Sequence, residues 1–305
     1  GHVCLPIADL ATPERTLGAA PEVALPGWPD PDSVLQALRA SALCDHAASD
    51  ATPLILDARG RLYFRRHYAC EQTLAALLGA RAGRSIPVDA ARLAVLLRKY
   101  FGEQPIDLQR SAAELASQRA LCVISGGPGT GKTSTVVKIL AVAVEEALAQ
   151  HSPLPRIGLV APTGKAAVRL ATAVRSAKQT LERDLVSEAR VLSAIPEEAS
   201  TIHRLLISRE RSQRYEPGAL PEPLPFDILL VDEASMVDLE LMSALLSALP
   251  DQTRIIMLGD RDQLASVEAG AVFGDICGVA QRADRARSDR ALSRCIVQLT
   301  RSYRY

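Results

Sequence analysis

The chain has 305 residues, of which 48% are hydrophobic and 23% are charged, and this length allows about two domains with a sizeable core. Lysine plus arginine and aspartate plus glutamate both number 35, so the net charge does not indicate a polyanionic partner, and any nucleic-acid surface must be a local patch. The sequence contains no apolar run as long as a membrane span, no signal segment and no C-x-x-C pair among its six cysteines. We therefore expect no membrane partner and a place in the reducing cytoplasm.

The first hundred residues predict a small unit made mainly of helices. Its expected elements are, in chain order, an irregular lead-in over 1–30, a helix from Pro31, a β-hairpin of 54–56 and 62–64, and helices near 69–78 and 88–100. Gly102 then breaks the helical pattern. We therefore predict a boundary near 103, with an amino-terminal α-rich module over 1–103 and a second domain over 104–305.

From residue 107 the chain alternates between helical and strand patterns. Strands are predicted at 121–124, 157–160, 228–231, 254–258 and 295–299, and the helices that separate them begin after 132, after 164, at 239 and near 272. Such alternation indicates an α/β fold in which a mainly parallel sheet is flanked by helices on both faces. Ligands of such sheets bind at the carboxyl ends of the strands. The charged segment 180–225, which contains several prolines, is predicted to be an insertion or an extended loop.

A phosphate-binding loop is the most specific feature of the sequence. Residues 126–133 match the pattern G-x-x-x-x-G-K-[ST], between an apolar strand and a helix whose amino end favours anions. Glycines let backbone N–H groups face phosphate oxygens, while Lys132 can contact the β- and γ-phosphates and Thr133 can offer its hydroxyl to Mg²⁺. The alternative is a glycine-rich connection that matches by chance. The predicted ATP ligands of the loop are Gly126, Gly127, Pro128, Gly129, Thr130, Gly131, Lys132 and Thr133.

Polar residues also follow two later predicted strands. Asp232 and Glu233 come directly after a fully apolar strand, where Asp232 is placed to hold Mg²⁺ and Glu233 to accept a proton from the attacking water. Taken alone, two such acids are more often a solvated turn, and it is the phosphate loop upstream that favours the catalytic interpretation. Gln263 follows the next strand and is predicted to sense the γ-phosphate or the water, because an amide both donates and accepts hydrogen bonds. A glutamine in a surface loop is the alternative.

Together these motifs resemble the ordered motifs of superfamily 1 DNA helicases. The resemblance also rests on 161–167, Ala-Pro-Thr-Gly-Lys-Ala-Ala, and on 302–305, Ser-Tyr-Arg-Tyr, and it covers about 107–305. More narrowly, the pattern resembles the RecD family, the alpha subunits of exodeoxyribonuclease V (RecBCD), and 62–66 with Glu71 are similar to the amino-terminal, partner-binding module of those subunits. The resemblance implies a RecA-like P-loop NTPase fold, ATP and Mg²⁺ as cofactors, and single-stranded DNA and RecB- and RecC-like subunits as partners.

The resemblance also implies roles for residues outside the phosphate loop and the acid pair. Gln109 is similar to the glutamine that reads adenine, and a residue exposed at a helix start is the alternative. Thr163 and Lys165 fall in a segment that touches the backbone of single-stranded DNA, where hydroxyl, amide or ammonium donors suffice. His203 falls in the next such segment, and a helix histidine with its hydrogen bonds satisfied is the alternative. Arg304 matches the arginine that reaches the γ-phosphate.

The implied activity is that of an ATP-dependent 5′–3′ DNA helicase or translocase subunit in double-strand-break repair and recombination. The implied catalytic residues are Lys132, Glu233, Gln263 and Arg304. A nucleotide-dependent switch or scaffold without sustained translocation is the alternative, and a small-molecule kinase is disfavoured because the acid pair and Gln263 favour water as the nucleophile. In this family a second RecA-like domain follows the motif at 302–305. Residues 1–305 alone are therefore expected to bind nucleotide weakly and to hydrolyse it slowly.

Overall fold

Two β-sheets organise the chain, and the computed structural model describes residues 3–11, 30–45, 52–103, 107–184, 187–213, 222–263, 270–279 and 291–301. The α-helices are α1 (Pro31–Ala40), α2 (Arg65–Gly83), α3 (Ala90–Phe101), α4 (Leu108–Gln118), α5 (Lys132–Ala149), α6 (Gly164–Arg183), α7 (Ala189–Ser193), α8 (Ile202–Gln213), α9 (Leu239–Ser247) and α10 (Val272–Val279). The strands are β1 (Cys4–Pro6), β2 (Cys44–Asp45), β3 (Leu54–Leu56), β4 (Arg61–Phe64), β5 (Leu121–Gly126), β6 (Ile157–Ala161), β7 (Ser200–Thr201), β8 (Ile228–Val231), β9 (Arg254–Gly259) and β10 (Ile296–Leu299). Short 3₁₀ helices lie at Ile7–Ala11 and Ala234–Met236.

The larger sheet has six strands that all run parallel, in the order β10-β5-β9-β8-β6-β7. Strands β5 and β8 are buried along their whole length. Continuous apolar runs of this kind are typical of parallel sheets, because helices cover both of their faces. The predicted α/β fold, with a parallel sheet flanked by helices, is confirmed.

Alternate residues of each strand point into two hydrophobic cores, one on each face of this sheet. Cys122 and Ile124 of β5 belong to the core that α3, α4, α5 and α6 complete. Leu121 and Val123 of the same strand belong to the core that α2, α9 and α10 complete. Because successive side chains of a strand point to opposite faces, the sheet is apolar on both faces and helices pack on each of them.

The smaller sheet has the order β1-β4-β3-β2 and a separate core under α1. Its β3–β4 hairpin confirms the predicted one, and Asp57 shapes the turn by accepting hydrogen bonds from the backbone N–H groups of Arg59 and Arg61, both at 2.9 Å. The irregular lead-in predicted for 1–30 is wrong for its first residues. Cys4 of β1 pairs with Tyr63 of β4, and a strand of three residues is too short to show an alternating pattern.

The segment 180–225, predicted as an insertion or an extended loop, is largely regular where the structure describes it. Helix α6 continues to Arg183, α7 follows, and β7 joins the edge of the larger sheet beside β6 before α8 begins. Three of the prolines that suggested a loop precede elements rather than interrupt them, since Pro196 lies before β7 and Pro223 and Pro225 lie before β8, and Pro217 and Pro221 lie outside the described residues. The extended-loop prediction is therefore wrong for 187–213.

The domain boundary predicted near 103 stays a prediction. Helices from both sides of this boundary share the hydrophobic cores of the larger sheet. Helices α2 and α3 lie within the predicted amino-terminal module, yet they pack on opposite faces of the larger sheet. Leu74 of α2 belongs to one core and Leu93 of α3 belongs to the other. Strand β4 ends at Phe64 and α2 begins at Arg65, so no loop separates the smaller sheet from the first of these helices.

Noncovalent contacts hold the described fold together. All six cysteines are free thiols, and burial raises the pKa of Cys277 and of Cys295 to about 11, so both stay protonated at neutral pH. Within the described ranges, no helix combines the length and the apolar character that crossing a membrane requires.

A buried arginine ties α2 to the loop between α9 and β9. The side chain of Arg81 is 1% exposed and donates hydrogen bonds to the carbonyl oxygens of Leu77 at 3.3 Å and of Pro250 at 3.2 Å. Burial lowers the pKa of Arg81, and its Nε atom has no hydrogen-bond partner. Arg84 donates to two further carbonyls of the same loop from a more exposed position. The two arginines therefore join the amino-terminal part of the chain to the amino edge of the larger sheet.

We expect Arg81→Met to lower the free energy of unfolding by about 1–3 kcal/mol, because methionine keeps much of the packing but leaves buried carbonyl oxygens without a donor. Arg84→Met is the matched control, since the exposed carbonyl partners of Arg84 can bind water instead. Urea unfolding followed by circular dichroism measures both variants. Equal free energies of unfolding for Arg81→Met and the parent would contradict the anchoring role.

Candidate nucleotide-binding and catalytic site

The carboxyl ends of the parallel strands bring the predicted motifs to one edge of the larger sheet. Along that edge the phosphate loop follows β5, the Gln263 segment follows β9, the acid pair follows β8, and the amino end of α6 follows β6. A cleft of about 770 Å³ opens there, lined by 128–134, by Asp232, Glu233 and Gln263, and by one side of α6. This is the position at which open α/β sheets bind their ligands.

The phosphate loop holds its own lysine. Gly126 ends β5 and Lys132 begins α5, whose first turn carries backbone N–H groups with no partner inside the helix. The Nζ atom of Lys132 donates to the carbonyl oxygen of Gly126 and, at 3.1 Å, to that of Gly127. The Thr130 hydroxyl donates to the Gly127 carbonyl at 2.9 Å. The Lys132 ammonium and the Thr130 hydroxyl therefore bind carbonyl oxygens of the loop itself, and both are donors that can also bind phosphate oxygens.

Gln109 lies half-buried against the phosphate loop rather than free at a helix start. Asp107 caps α4 by accepting a hydrogen bond from the backbone N–H of Gln109 at 2.8 Å. The Nε2 atom of Gln109 donates to the carbonyl oxygen of Thr130 at 3.2 Å. Gly131 has a φ of +78°, a left-handed conformation that favours glycine, and a Cβ atom there would lie 2.6 Å from this Nε2 atom and would displace the glutamine amide. The contact of Gln109 with adenine stays a prediction.

Asp232 and Glu233 leave β8 at the side of the cleft. Burial raises the pKa of Asp232 above its usual range, while the backbone N–H of Glu233 and the charge of Lys132 act in the opposite direction. Glu233 has a φ of +50°, in the left-handed region that residues with a side chain seldom adopt. Its Oε1 atom lies 3.8 Å from the Nη1 atom of Arg169 on α6. Strained backbone of this kind clusters at functional sites.

The oxygen donors of the cleft suit a hard divalent cation. Thr133 and Asp232 both line the cleft, and hydroxyl and carboxylate oxygens are ligands that Mg²⁺ accepts. A carboxylate whose pKa is raised by desolvation gains free energy from a cation beside it. Among the residues described, no group of three His, Cys, Asp or Glu side chains could hold a metal ion. A cation here would therefore take its remaining ligands from phosphate oxygens and water, as Mg²⁺ commonly does.

Gln263 lines the cleft from the loop after β9 and is exposed. Its backbone N–H donates to the carbonyl oxygen of Asp260 at 3.3 Å, and the buried Asp260 carboxylate accepts from the backbone N–H of Asp262 at 3.1 Å. These bonds shape the turn that presents Gln263. Its role as a sensor stays a prediction, as does that of Arg304, which lies with 302–305 outside the described residues.

The three residues predicted to contact DNA lie beside the cleft, at the ends of β6 and β7. Thr163 caps α6, because its Oγ1 atom accepts a hydrogen bond from the backbone N–H of Ala166 at 3.2 Å. Lys165 is exposed on the first turn of α6, and His203 is exposed on the first turn of α8. Since β6 and β7 are neighbours, the structure brings the two predicted segments to one surface. Their contact with DNA stays a prediction.

Two basic residues that line the cleft, Lys138 and Arg169, were not predicted from the sequence motifs. Lys138 of α5 lies with its Nζ atom 5.1 Å from the ring centroid of Phe101, and burial lowers its pKa. Arg169 of α6 lies beside Glu233. The helical period could have found the second residue, because Arg169 follows Lys165 by four positions and therefore lies on the same side of α6.

Comparison with known protein families agrees with this geometry. Residues 109–269, more than half of the chain, match the family model described as AAA domain. The chain belongs to this AAA domain family. Membership of this family implies that the chain uses a nucleotide, and the place of that nucleotide at the phosphate loop stays a prediction. Residues 1–63 match the family model described as RecBCD enzyme subunit RecD, N-terminal domain.

The chain with this AAA domain is also similar to curated proteins. It is 42% identical to the RecBCD enzyme subunit RecD of Mycolicibacterium smegmatis over 285 residues, which are 90% of this chain and 46% of the relative. It is 38% identical to RecD of Haemophilus influenzae, covering 77% of this chain and 38% of the relative. It is 33% identical to the ATP-dependent RecD2 DNA helicase of Deinococcus radiodurans, covering 69% of this chain and 25% of the relative. The chain thus spans less than half the length of these relatives, and the predicted resemblance to RecD is confirmed.

Proposed function

We propose that the chain is the amino-terminal module and first RecA-like domain of a RecBCD-type DNA helicase subunit, which hydrolyses ATP to move along single-stranded DNA. One observation carries the proposal: the phosphate loop, the acid pair and Gln263 line a single cleft, and the segments of Thr163 and His203 follow the neighbouring strands. The names of the relatives, RecBCD enzyme subunit RecD and ATP-dependent RecD2 DNA helicase, support it.

ATP with Mg²⁺ is the proposed ligand of the cleft. The backbone N–H groups of 126–133 would surround the phosphates, and Lys132 would exchange its two carbonyl partners for β- and γ-phosphate oxygens. Thr133 and Asp232 would hold Mg²⁺, which when bound neutralises charge on the β- and γ-phosphate oxygens. Gln109 would contact adenine from its place against the loop.

Glu233 is the proposed general base. Its carboxylate accepts a proton from the attacking water, whose oxygen bonds to the γ-phosphorus as the bond from that phosphorus to the β–γ bridging oxygen breaks and ADP leaves. Gln263 can hydrogen-bond to the water or to the γ-phosphate, because its amide donates and accepts. Arg304 is proposed to stabilise the charge on the transferring group through its planar fork.

The activity of the whole protein belongs to the proposal, because the relatives extend well beyond the matched region. We infer that a second RecA-like domain closes over the nucleotide and that opening and closing drive movement in the 5′–3′ direction. The proposed setting is double-strand-break repair and recombination in the cytoplasm, with RecB- and RecC-like subunits as partners. Residues 1–63, which match the RecD amino-terminal domain, are the proposed contact with those partners.

DNA-stimulated ATP hydrolysis by the full-length protein that contains this chain tests the proposal. We expect ATP turnover to rise when single-stranded DNA is added, and duplexes with a 5′ single-stranded tail to be unwound in preference to those with a 3′ tail. Pull-down from the native host tests the partners, since large nuclease–helicase subunits should co-purify. ATP binding without any response to DNA would instead favour the nucleotide-dependent switch or scaffold.

We expect Lys165→Ala to weaken the binding of single-stranded DNA by the same factor on different sequences, because a phosphate contact contributes affinity without reading bases. The slope of log affinity against log salt should fall by about 0.7, the value for one released counterion on a single strand. Thr163→Ala should also weaken binding, and Thr163→Ser is its matched control because serine can keep the cap of α6.

Fluorescence anisotropy titrations at several salt concentrations measure both quantities for each variant. An unchanged affinity and an unchanged salt slope in Lys165→Ala would place this lysine outside the DNA contact. A loss of helix stability in Thr163→Ala with no change in DNA affinity would assign Thr163 to the cap alone.

A further inference from the structure

A second cavity opens at the amino edge of the larger sheet, on the side opposite the nucleotide cleft. Its volume is about 300 Å³, at the lower end of the range of about 300–1,000 Å³ that small-ligand sites span. The lining comes from the last two turns of α5, from the entry to β6 and from the first residues of β8 and β9. None of the described residues that line this cavity lines the nucleotide cleft, so a ligand here would be additional to the proposed ATP and DNA.

The cavity contains a buried carboxylate that lacks a direct partner. Glu146 is 7% exposed, and among the residues described its side chain makes no hydrogen bond and no ion pair. Burial raises the pKa of Glu146, whereas the positive charges of Arg254 and Arg92 act in the opposite direction. Glu146 also lies in the last turn of α5, where the helix dipole disfavours a negative charge. A carboxylate this unfavourable for the folded chain alone indicates a functional position.

Arg254 brings the opposite charge to the same cavity without reaching Glu146. It is partly buried, and burial lowers its pKa while the charge of Glu146 acts in the opposite direction. Within the described ranges, the guanidinium has no hydrogen bond and no ion pair. Asp227 also lines the cavity, but Arg156 holds it through hydrogen bonds of 3.1 and 3.0 Å. The cavity therefore offers one anion and one cation that both lack a partner.

The lining also includes an apolar part. Pro153, Leu154 and Pro155 contribute to it from the entry to β6, and Pro87 contributes from the segment between α2 and α3. Leu154 is 41% exposed, which is unusual for a side chain of this size and polarity beside a cavity. One water that bridged the two charges would need only about 10–15 Å³ of such a space. A larger ligand with two opposite charges and an apolar group matches more of the lining.

We propose that this cavity binds a small zwitterion of the α-amino acid class that has an apolar side chain. Its ammonium donates to the Glu146 carboxylate, and its carboxylate accepts from the planar fork of Arg254. Its side chain contacts the apolar residues of 153–155. Each unpaired charge of the cavity then gains a partner of opposite sign, which is the condition under which buried charges are tolerated.

Titration of the full-length protein that contains this chain with L-leucine tests the proposal. We expect saturable binding in calorimetry. Isocaproate lacks the ammonium and isoamylamine lacks the carboxylate, so each should bind about 10–100-fold more weakly, the value for one hydrogen bond to a charged group. Glu146→Gln and Arg254→Met should weaken the binding of L-leucine by a similar factor.

Glu145→Gln is the matched control for the first variant. It makes the same chemical change one residue earlier on α5, where Glu145 pairs with Lys99 at 2.6 Å and does not line the cavity. Its affinity for L-leucine should equal that of the parent.

The stability of Glu146→Gln gives a second readout, which distinguishes a ligand site from a structural ion pair bridged by water. Glutamine removes a buried charge that has no direct partner, so the midpoint of urea unfolding without ligand should stay the same or rise. Added L-leucine should raise the midpoint of the parent and leave that of Glu146→Gln unchanged, because a ligand stabilises only the state that binds it. A fall of the midpoint in Glu146→Gln without ligand would assign Glu146 to a structural pair with Arg254.

Three further results would overturn the inference. The first is a parent that shows no saturable binding of L-leucine, and the second is equal affinity for L-leucine and for either analogue that lacks one charge. The third is parental affinity for L-leucine in both Glu146→Gln and Arg254→Met, which would place the binding site elsewhere. None of these measurements involves ATP turnover or DNA, so their failure leaves the proposed function unaffected.

Discussion

Glu233→Gln is expected to lower ATP turnover by about 10²–10⁴-fold while nucleotide binding is retained. Glutamine keeps the shape of the side chain but cannot accept a proton from the attacking water. Asp232 and the phosphate loop are unchanged, so the nucleotide complex still forms and then persists. Binding of a fluorescent ATP analogue and steady-state phosphate release, measured on one full-length preparation, separate the two effects.

Glu240→Gln is the matched control for this substitution. It makes the same chemical change on α9, where Glu240 pairs with Arg66 and His67 away from the lining of the cleft. Parental turnover in Glu233→Gln would remove Glu233 from the role of base. A loss of nucleotide binding in that variant would instead assign Glu233 to the binding of the phosphates or the cation.

Lys132→Ala is expected to lose nucleotide affinity and turnover together. The ammonium is the charged donor of the phosphate loop, and a hydrogen bond to a charged group contributes about 1.5–3 kcal/mol, or roughly 10–100-fold in Kd. Turnover should fall further, because the same charge stabilises the phosphoryl group during transfer. The substitution also removes one donor from the carbonyl oxygens of Gly126 and Gly127 in the nucleotide-free protein, although Gly127 keeps the hydrogen bond from the Thr130 hydroxyl.

Calorimetric titration with an ATP analogue measures the affinity, and phosphate release on the same preparation measures turnover. Lys99→Ala is the matched control, since Lys99 pairs with Glu145 at 2.6 Å and does not line the cleft. An unchanged Kd for Lys132→Ala would contradict the proposed contact, whatever happens to turnover.

The elements that could be predicted from the sequence are those whose signal is local. Strand β8 has the predicted ends, 228–231. Its wholly apolar run is bounded by charged residues on both sides, with Asp227 before it and Asp232 and Glu233 after it. The two-residue strands β2 and β7 could not be predicted, since their pairing depends on a neighbour that the fold supplies. Helix α8 could not be predicted because this segment is rich in prolines, although the described ones lie outside the helix, with Pro196 before β7 and Pro223 before β8.

Some features of the candidate site could likewise be predicted from local sequence patterns, whereas others depend on contacts between distant residues. The phosphate loop and the acid pair are local patterns, and the parallel sheet places both at one edge as predicted. The contact of Gln109 with Thr130 and the ion pair of Arg169 with Glu233 join residues far apart in the chain. The second contact exists because β6 and β8 are adjacent, and this strand order cannot be obtained from hydrophobic periodicity.

The direct passage from β4 into α2 has a mechanical consequence. Phe64 and Arg65 are consecutive, so the four-stranded sheet continues into a helix of 19 residues without a flexible tether. That helix is packed along one face of the six-stranded sheet and is held at its far end by Arg81. A molecule bound to the four-stranded sheet would therefore be joined to the six-stranded sheet through one continuous strand and helix, so that a displacement of the smaller sheet would be transmitted along α2 to the larger one.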